Sequence, residues 1–213
     1  MKKNLFVLAL VISSFVSYSQ NNILIFGGPQ LTSAFYSVGG KAQEVSTRPA
    51  FHLGSTFKVP FEGHLFFSPT LFYSLKGYKV TLTQPSIPPD SFAIGNKTRI
   101  HTLEIAALLQ YDFSLKPGHF YFKAGPTIDM QLSGKEKFTR QDGSVVSRKM
   151  KYSWNDYGYV GANIFGQLGF ETRSGLLFGI SYSHGLGSIS NVDYGARILH
   201  QVTALSIGKY LMR

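Results

Sequence analysis

The amino-acid sequence predicts an all-β fold: an eight-stranded antiparallel up-and-down transmembrane β-barrel with short periplasmic turns and four longer outer loops. Three observations predict it. The chain opens with a secretory leader, later segments alternate apolar and mixed positions with a period of two, and the links between strands are short and long in turn. None of the 213 residues is a cysteine, so disulfides and thiolate metal sites are excluded.

Residues 1–19 have the organisation of a secretory signal peptide. Lys2 and Lys3 provide a basic start, and residues 5–16 form an apolar stretch that is too short for a transmembrane helix. We expect cleavage at the end of this leader. The remaining residues 20–213 suit one barrel domain, integral to the bacterial outer membrane.

Five segments carry bulky apolar residues at every second position: residues 51–59, 65–76, 103–113, 120–129 and 176–183. The positions that carry these bulky residues include almost no charged side chains. In a soluble β-sandwich, the polar and charged residues would face outward into solvent. In a membrane barrel, the uncharged positions of each strand face lipid, and the polar and paired charged side chains are enclosed in the lumen. We therefore interpret the other parity as facing the lumen. Its charged members are Lys58, Lys76, Glu104, Asp112, Lys123 and Asp129.

The links between strands alternate in length along the whole chain. With both chain ends on the side of the short links, this order gives eight strands, three periplasmic turns and four outer loops. The sheet must close, because lipid offers no hydrogen-bond partner to an open edge. The short links are residues 60–63, 116–119 and 173–175, and the long links are residues 37–47, 80–98, 133–153 and 187–196.

Lys76 shares the lumen-facing parity and needs a partner for its charge. Antiparallel pairing about a loop centred near residue 89 or 90 predicts that Glu104 lies directly opposite it. A buried charge without a partner would be strongly destabilising. We interpret the two residues as a structural ion pair that fills the lumen, and a substrate or ion relay is the alternative. Eight strands leave an interior only wide enough for side chains, which does not fit a general porin.

The third outer loop is strongly basic. Asp142 and Gly143 predict a type I′ turn between two β-prone arms, so we expect a hairpin above the membrane. Its charge fits binding to lipopolysaccharide phosphates, with docking of a protein or a polysaccharide as the alternative. The basic residues are Lys135, Lys137, Arg140, Arg148, Lys149 and Lys151. Four aromatic residues that follow fit an outer interfacial girdle: Tyr152, Trp154, Tyr157 and Tyr159.

The sequence offers little for catalysis. Ser183 and His184 lie near the outer end of a strand, but adjacent residues on a strand point to opposite faces, so they do not form a nucleophile and base pair. His101 and His200 stand in no nucleophile motif. The histidines show no metal-ligand spacing. We therefore expect no enzyme activity, no metal and no cofactor.

Four short motifs resemble those of the PorT-like outer-membrane β-barrel family of Bacteroidetes. They are "GGPQL" at 27–31, "YSLKG" at 73–77, "LEIA" at 103–106 and "SHGLGSIS" at 183–190. The motifs occur in order and cover essentially the mature chain. The resemblance implies the same fold and membrane as the strand pattern.

The expected function is that of an outer-membrane barrel without a wide pore, in a structural or surface-interaction role. The resemblance also implies an alternative, an accessory of a type IX secretion or gliding apparatus. A lipid A-modifying enzyme is a second alternative. The expected partners are outer-membrane lipid and lipopolysaccharide, with secretion-system or surface polysaccharide partners as further candidates. An exported protein does not ordinarily meet nucleic acid, so the net charge of +10 is not interpreted as a nucleic-acid signal.

Overall fold

A computed structural model defines residues 23–211 of the chain. The predicted signal peptide lies outside these described residues. Between residues 23 and 211, every regular element is a β-strand. In the same part of the chain, no helix has the length and apolar character needed to cross a membrane.

Eight long strands close into a ring. Each pairs antiparallel with its neighbours along the chain, and the last strand pairs with the first. The predicted antiparallel up-and-down barrel is therefore confirmed. The strands are β1 (Ile23–Val38), β2 (Arg48–Phe57), β3 (Leu65–Lys76), β4 (Ala93–Asp112), β5 (His119–Arg140), β6 (Val160–Glu171), β7 (Leu176–Gly185) and β8 (Arg197–Tyr210).

Five shorter strands lengthen the barrel at its ends. At the end with the short turns, Val59–Glu62 continues β2 alongside β3. At the other end, Lys79–Thr81 pairs with β4 and Val145–Lys149 pairs with β5. Glu44–Ser46 then pairs with Lys79–Thr81, and Lys41–Ala42 pairs with β1. The barrel is consequently taller at its outer end than the lipid span requires.

Two of the predicted long loops are partly sheet. β4 begins at Ala93 and β5 runs on to Arg140, so the outer loops are shorter than expected there. The predicted hairpin above the membrane is present, but its turn is not type I′. Gly143 has a φ of +81° and its amide donates to the carbonyl of Arg140, whereas Asp142 does not have the positive φ that a type I′ turn would require.

The two faces of the barrel wall follow the predicted parity. The bulky side chains point outward, for example Leu53, Ile105 and Ile128, each more than half exposed. The lumen-facing charges are enclosed. Those that are buried are Lys76, Glu104, Asp112, Lys123 and Asp129, and Lys58 is mostly buried at the periplasmic rim.

A one-residue bulge in β5 decides which side chains face outward above the membrane. Between the pairs His101–Ser133 and Thr102–Gln131, Leu132 is an extra residue. Because Leu132 and Ser133 are both exposed, the outward parity changes from even to odd positions at this point. The sequence pattern of the lower half therefore does not continue across the bulge. The outward residues just above it include Lys135 and Lys137.

The first and last strands pair without any register shift. Their partners run in one register from Leu24–Tyr210 to Ser37–Arg197. No register shift therefore separates these two strands. Gly28 is a glycine because a Cβ there would clash with the carbonyl oxygen of Leu205.

A second hydrophobic core lies above the membrane level and is closed by the loops. It contains Tyr36, Tyr78, Phe138, Tyr157 and Ile198, all buried. The Pro-rich loop of residues 82–92 folds over it. Its Ser86 hydroxyl lies 2.7 Å from the Tyr36 hydroxyl, and the carbonyl of Ile87 accepts from the amide of Ala196 in the fourth loop. The outer mouth of the barrel is thus covered by ordered chain.

Candidate functional site

Three charged side chains meet inside the outer half of the barrel. The Lys76 Nζ lies 2.9 Å from Glu104 Oε1 and 2.6 Å from Asp129 Oδ2. All three side chains are at most 2% exposed. Glu104 and Asp129 stand directly opposite each other on β4 and β5. The ammonium group of Lys76 therefore lies between two facing carboxylates and offsets part of the repulsion between them.

The predicted register of strands β3 and β4 is wrong by four residues. Lys76 stands opposite Ile100, and Glu104 stands opposite Phe72. The side chains of Lys76 and Glu104 meet because they share the lumen face and reach along the barrel. Asp129, the second partner of Lys76, had been placed in the lumen by parity but not assigned to this ion pair.

A second charged cluster closes the periplasmic end. The Lys58 Nζ lies 2.6 Å from Asp112 Oδ2 and 3.0 Å from Glu171 Oε2. His119 Nε2 lies 3.0 Å from Asp112 Oδ2, and the Tyr210 hydroxyl donates to Glu171 Oε2 at 3.2 Å. These contacts connect the lower ends of five strands. They leave that end of the lumen filled by paired side chains.

The middle of the lumen is also filled. A cavity of about 30 Å³ remains among side chains that include Phe26, Phe72, Phe165 and Lys123. This is room for about two water molecules. Among residues 23–211, no carboxylate lies within ion-pair distance of Lys123, whose Nζ stands 5.9 Å from the ring centroid of Phe26. The described barrel therefore has no wide pore.

The most unusual surface is a patch of outward-facing cations just above the apolar band, which we call the basic grid. Its upper row runs straight across three strands, since Lys79 pairs with Lys97 and Lys97 pairs with Lys137. Like charges directly opposite each other destabilise a sheet. The seven residues of the grid are Arg48, Lys79, Lys97, Arg99, Lys135, Lys137 and Lys149.

The lower row of the grid repeats the arrangement one step closer to the membrane. Arg99 pairs with Lys135, and Lys135 pairs with Lys149. Arg48 adds a guanidinium beside Arg99, and its Nη1 donates to the carbonyl of Thr98. Partial burial and the charge of Arg99 lower the pKa of Arg48. The cations on this face are close together, and few nearby acidic side chains balance their positive charge.

An open groove of about 230 Å³ lies on the grid. Glu136 also borders it, but the carboxylate of Glu136 is held inside the barrel. Glu44, opposite Thr81, is an exposed acid at the edge of the grid. The cations that line the groove are Arg48, Lys97, Arg99, Lys135 and Lys137.

The six basic residues predicted in the third loop comprise four exposed lysines and two arginines in ion pairs. Lys135, Lys137 and Lys149 belong to the grid, and Lys151 is exposed beyond the paired strand. The two arginines instead hold the loops together. Arg140 Nη2 lies 2.8 Å from Asp90 Oδ2, and Arg148 Nε lies 2.7 Å from Glu136 Oε1. The prediction missed Arg48, Lys79, Lys97 and Arg99, although the alternation in "KTR" at 97–99 signals an outward basic edge.

Glu136 is the buried anchor of the outer core. Its Oε2 accepts from the Tyr157 hydroxyl at 2.8 Å and from Asn96 Nδ2 at 3.4 Å, in addition to the contact with Arg148. Burial raises the pKa of Tyr157 well above its ordinary value. Tyr157 therefore does not belong to the predicted aromatic girdle, and Tyr152 is only partly exposed. The exposed aromatic residues of that group are Trp154 and Tyr159.

The residues considered for catalysis do not come together. Ser183 is buried in the lumen, whereas His184 points outward and its Nδ1 lies 3.2 Å from the Tyr182 hydroxyl. His101 Nδ1 lies 2.6 Å from the hydroxyl of Tyr73 on the outer wall. Within the described part of the chain, no group of three or more His, Cys, Asp or Glu side chains could hold a metal ion.

The closed ring, the apolar outer band and the filled polar lumen define an integral outer-membrane β-barrel protein. Residues 13–191 match the family described as "Outer membrane protein beta-barrel domain", and the chain belongs to this family. No curated protein matches the sequence.

Several solved structures are distantly similar. Ail, the attachment invasion locus protein of Yersinia pestis, was solved in complex with the heparin analogue sucrose octasulfate. It is 13% identical, with 89% of this chain and 99% of that chain covered and a TM-score of 0.44. Neisserial surface protein A is 9% identical, with 88% and 97% covered and a TM-score of 0.44. The N-terminal barrel domain of Pseudomonas aeruginosa OprF is 9% identical, with 88% and 98% covered and a TM-score of 0.32.

Proposed function

We propose that the protein is a non-catalytic surface-interaction barrel of the outer membrane, which displays a rigid positively charged face in the lipopolysaccharide layer. One observation carries this function: the basic grid is built on paired strands above a lumen filled by side chains. A conduit would need an open lumen. The export route is part of the same proposal, with the leader of residues 1–19 removed and the chain starting at residue 20.

Two measurements on the purified, refolded protein test this role. In planar lipid bilayers it should give no stepwise conductance, since the cavity holds about two waters. On a dextran sulfate column at low salt it should be retained, and release should follow rising ionic strength because exposed charges are screened. Stepwise conductance, or passage through the column at low salt, would contradict the proposed role. N-terminal sequencing of the membrane form tests the leader.

The secretion accessory implied by the PorT-like resemblance is the second candidate. The "YSLKG" motif favours it, but two of its residues have structural reasons to be there. Lys76 pairs with Glu104 and Asp129 in the lumen, and a Cβ at Gly77 would clash with the carbonyl oxygen of Thr98. Deletion of the gene tests this candidate directly. Loss of secreted cargo in the deletion strain would favour the accessory over the surface role, and lipid A mass spectrometry of the same strain tests the enzyme alternative.

A further inference from the structure

The basic grid lies at the height of lipid headgroups. Along β4, Arg99 stands two residues above His101, and along β5, Lys135 stands three residues above Leu132, the last apolar outward side chain. A strand rises about 3.4 Å per residue, so the lower row lies within about 10 Å of the apolar band. Cations at this height meet the phosphate groups of the outer leaflet.

The spacing of the grid suits small, multiply charged groups. Neighbouring strands lie about 4.8 Å apart, and residues two apart along one strand are about 7 Å apart. A phosphate between the rows thus lies within reach of side chains from Lys97, Arg99, Lys135 and Lys137. Ammonium and guanidinium groups form short charge-assisted hydrogen bonds to phosphate oxygens. Such a ligand also offsets the repulsion between directly opposed cations.

The site is built into the sheet. Its cations stand on ladders with defined partners, and Arg48 is tied to the backbone of Thr98. The groove among them has a volume of about 230 Å³, which is enough for a phosphate and part of its sugar. Sheet-borne cations lose less conformational freedom on binding than cations on a mobile loop, since their backbone is already ordered.

We propose that this groove binds the phosphate groups of lipid A, the membrane-anchored part of lipopolysaccharide, with one phosphate between the rows. The inference rests on the proposed surface role and names its ligand. Lipid A is chosen over a soluble polyanion because the lower row is next to the apolar band, where only a membrane-anchored headgroup is held at high local concentration.

Lipid A binding is measured by native mass spectrometry of the detergent-solubilised protein, with bisphosphorylated lipid A as the probe. The test variant is Arg99→Gln with Lys135→Gln, which neutralises one facing pair of the lower row. The matched control is Lys41→Gln with Arg197→Gln, two exposed outer cations on the β1 and β8 side of the barrel, away from the grid. Both variants remove two charges. Heat-modifiable migration on gels checks that each one folds.

The test variant should lose at least about tenfold in affinity, because both removed cations attract the phosphate groups of the headgroup. The control should stay within about twofold. Dephosphorylated lipid A should bind at least about tenfold more weakly to the wild-type protein. Equal losses in the two variants, or undiminished binding of dephosphorylated lipid A, would overturn the assignment.

A soluble competitor separates the two possible sources of phosphate. Inorganic polyphosphate should displace lipid A only at phosphate concentrations at least about tenfold higher, because it lacks the acyl chains that contact the apolar band. Displacement at equal concentration would overturn the choice of lipid A. A protein that still binds dextran sulfate and does not conduct would keep its surface role in that case, so the two failures are distinguishable.

Discussion

Lys76 and Asp129 form an ion pair across a strand that lies between them. Lys76 ends β3 and Asp129 is on β5, yet Nζ and Oδ2 are 2.6 Å apart. Glu104, on the intervening β4, lies 2.9 Å from the same ammonium group. One cation therefore bridges two carboxylates on neighbouring strands and ties three strands together inside the barrel.

Replacing Lys76 by Met should be strongly destabilising. It would leave two facing carboxylates buried without a cation, and removal of one partner from a buried ion pair costs about 3–5 kcal/mol. Urea unfolding in detergent measures the loss. The triple variant Lys76→Met, Glu104→Gln and Asp129→Asn should recover most of it, because the cost arises from the unpaired charge. A triple variant as unstable as the single one would show that the charge balance is not what matters.

The sequence predicts which face of the barrel each of these three residues occupies, but not the register of their strands. Parity placed Lys76, Glu104 and Asp129 in the lumen, because period-two alternation fixes the face of each residue. The register between the strands was predicted less accurately than the orientation of the side chains. The pairs Lys76–Ile100 and Thr81–Gly95 centre the second loop on residue 88, whereas the prediction placed the centre near residue 89 or 90. A long loop without a two-residue turn does not fix the register of its strands.

The basic grid was less predictable than the lumen because it depends on the bulge. Counting even positions outward from Ile128 would place Lys135 and Lys137 in the lumen. Leu132 adds one residue and turns both outward. The predicted second loop also included residues 93–98, which are part of strand β4 and carry Lys97.

Deleting Leu132 should leave the barrel folded. Leu132 is unpaired, so its removal makes the pairs His101–Ser133 and Thr102–Gln131 consecutive and keeps every face as it is. The measurement is the fraction of protein with the heat-modifiable, compact migration on gels after refolding into detergent. We expect a fraction close to that of the wild-type protein.

Deletion of Ile128 is the matched control, since this residue is also apolar and outward-facing. Ile128 pairs with Ile105 and with Ala162, so its loss shifts the register on both sides and turns Asp129 toward lipid. The compact form should be lost. If both deletions give the same fraction of compact protein, Leu132 does not determine which residues of β5 face outward.

Replacing Tyr157 by Phe should loosen the outer core. The buried carboxylate of Glu136 would lose its 2.8 Å donor, and a hydrogen bond to a charged group contributes about 1.5–3 kcal/mol. Hydrogen exchange of the hairpin at residues 135–149 should speed up accordingly. Tyr159→Phe, at an exposed position, should change stability by less than about 0.5 kcal/mol. Equal effects of the two substitutions would contradict the anchoring role of Glu136.

The Pro-rich loop should detach from the hairpin in acid. The amide of Phe92 and the guanidinium of Arg140 lower the pKa of Asp90 below its ordinary value. A carboxyl group whose pKa is lower in the folded state stabilises the fold above its unfolded pKa of about 4, and this contribution is lost as the pH falls through the folded pKa. The loop should therefore be held at pH 4.5 and above, and released progressively below pH 4.

Phe92 is an exposed residue of this loop. The rate of pepsin cleavage next to Phe92 measures the release of the loop at acid pH. The comparison is the wild-type protein against Asp90→Asn, which keeps the shape of the side chain and removes its titration. The other acidic groups of the outer end are the same in both proteins, so the ratio of the two cleavage rates isolates Asp90. The variant should be cut faster at pH 4.5, and the two rates should converge near pH 2. A ratio that stays constant across this range would show that Asp90 does not hold the loop.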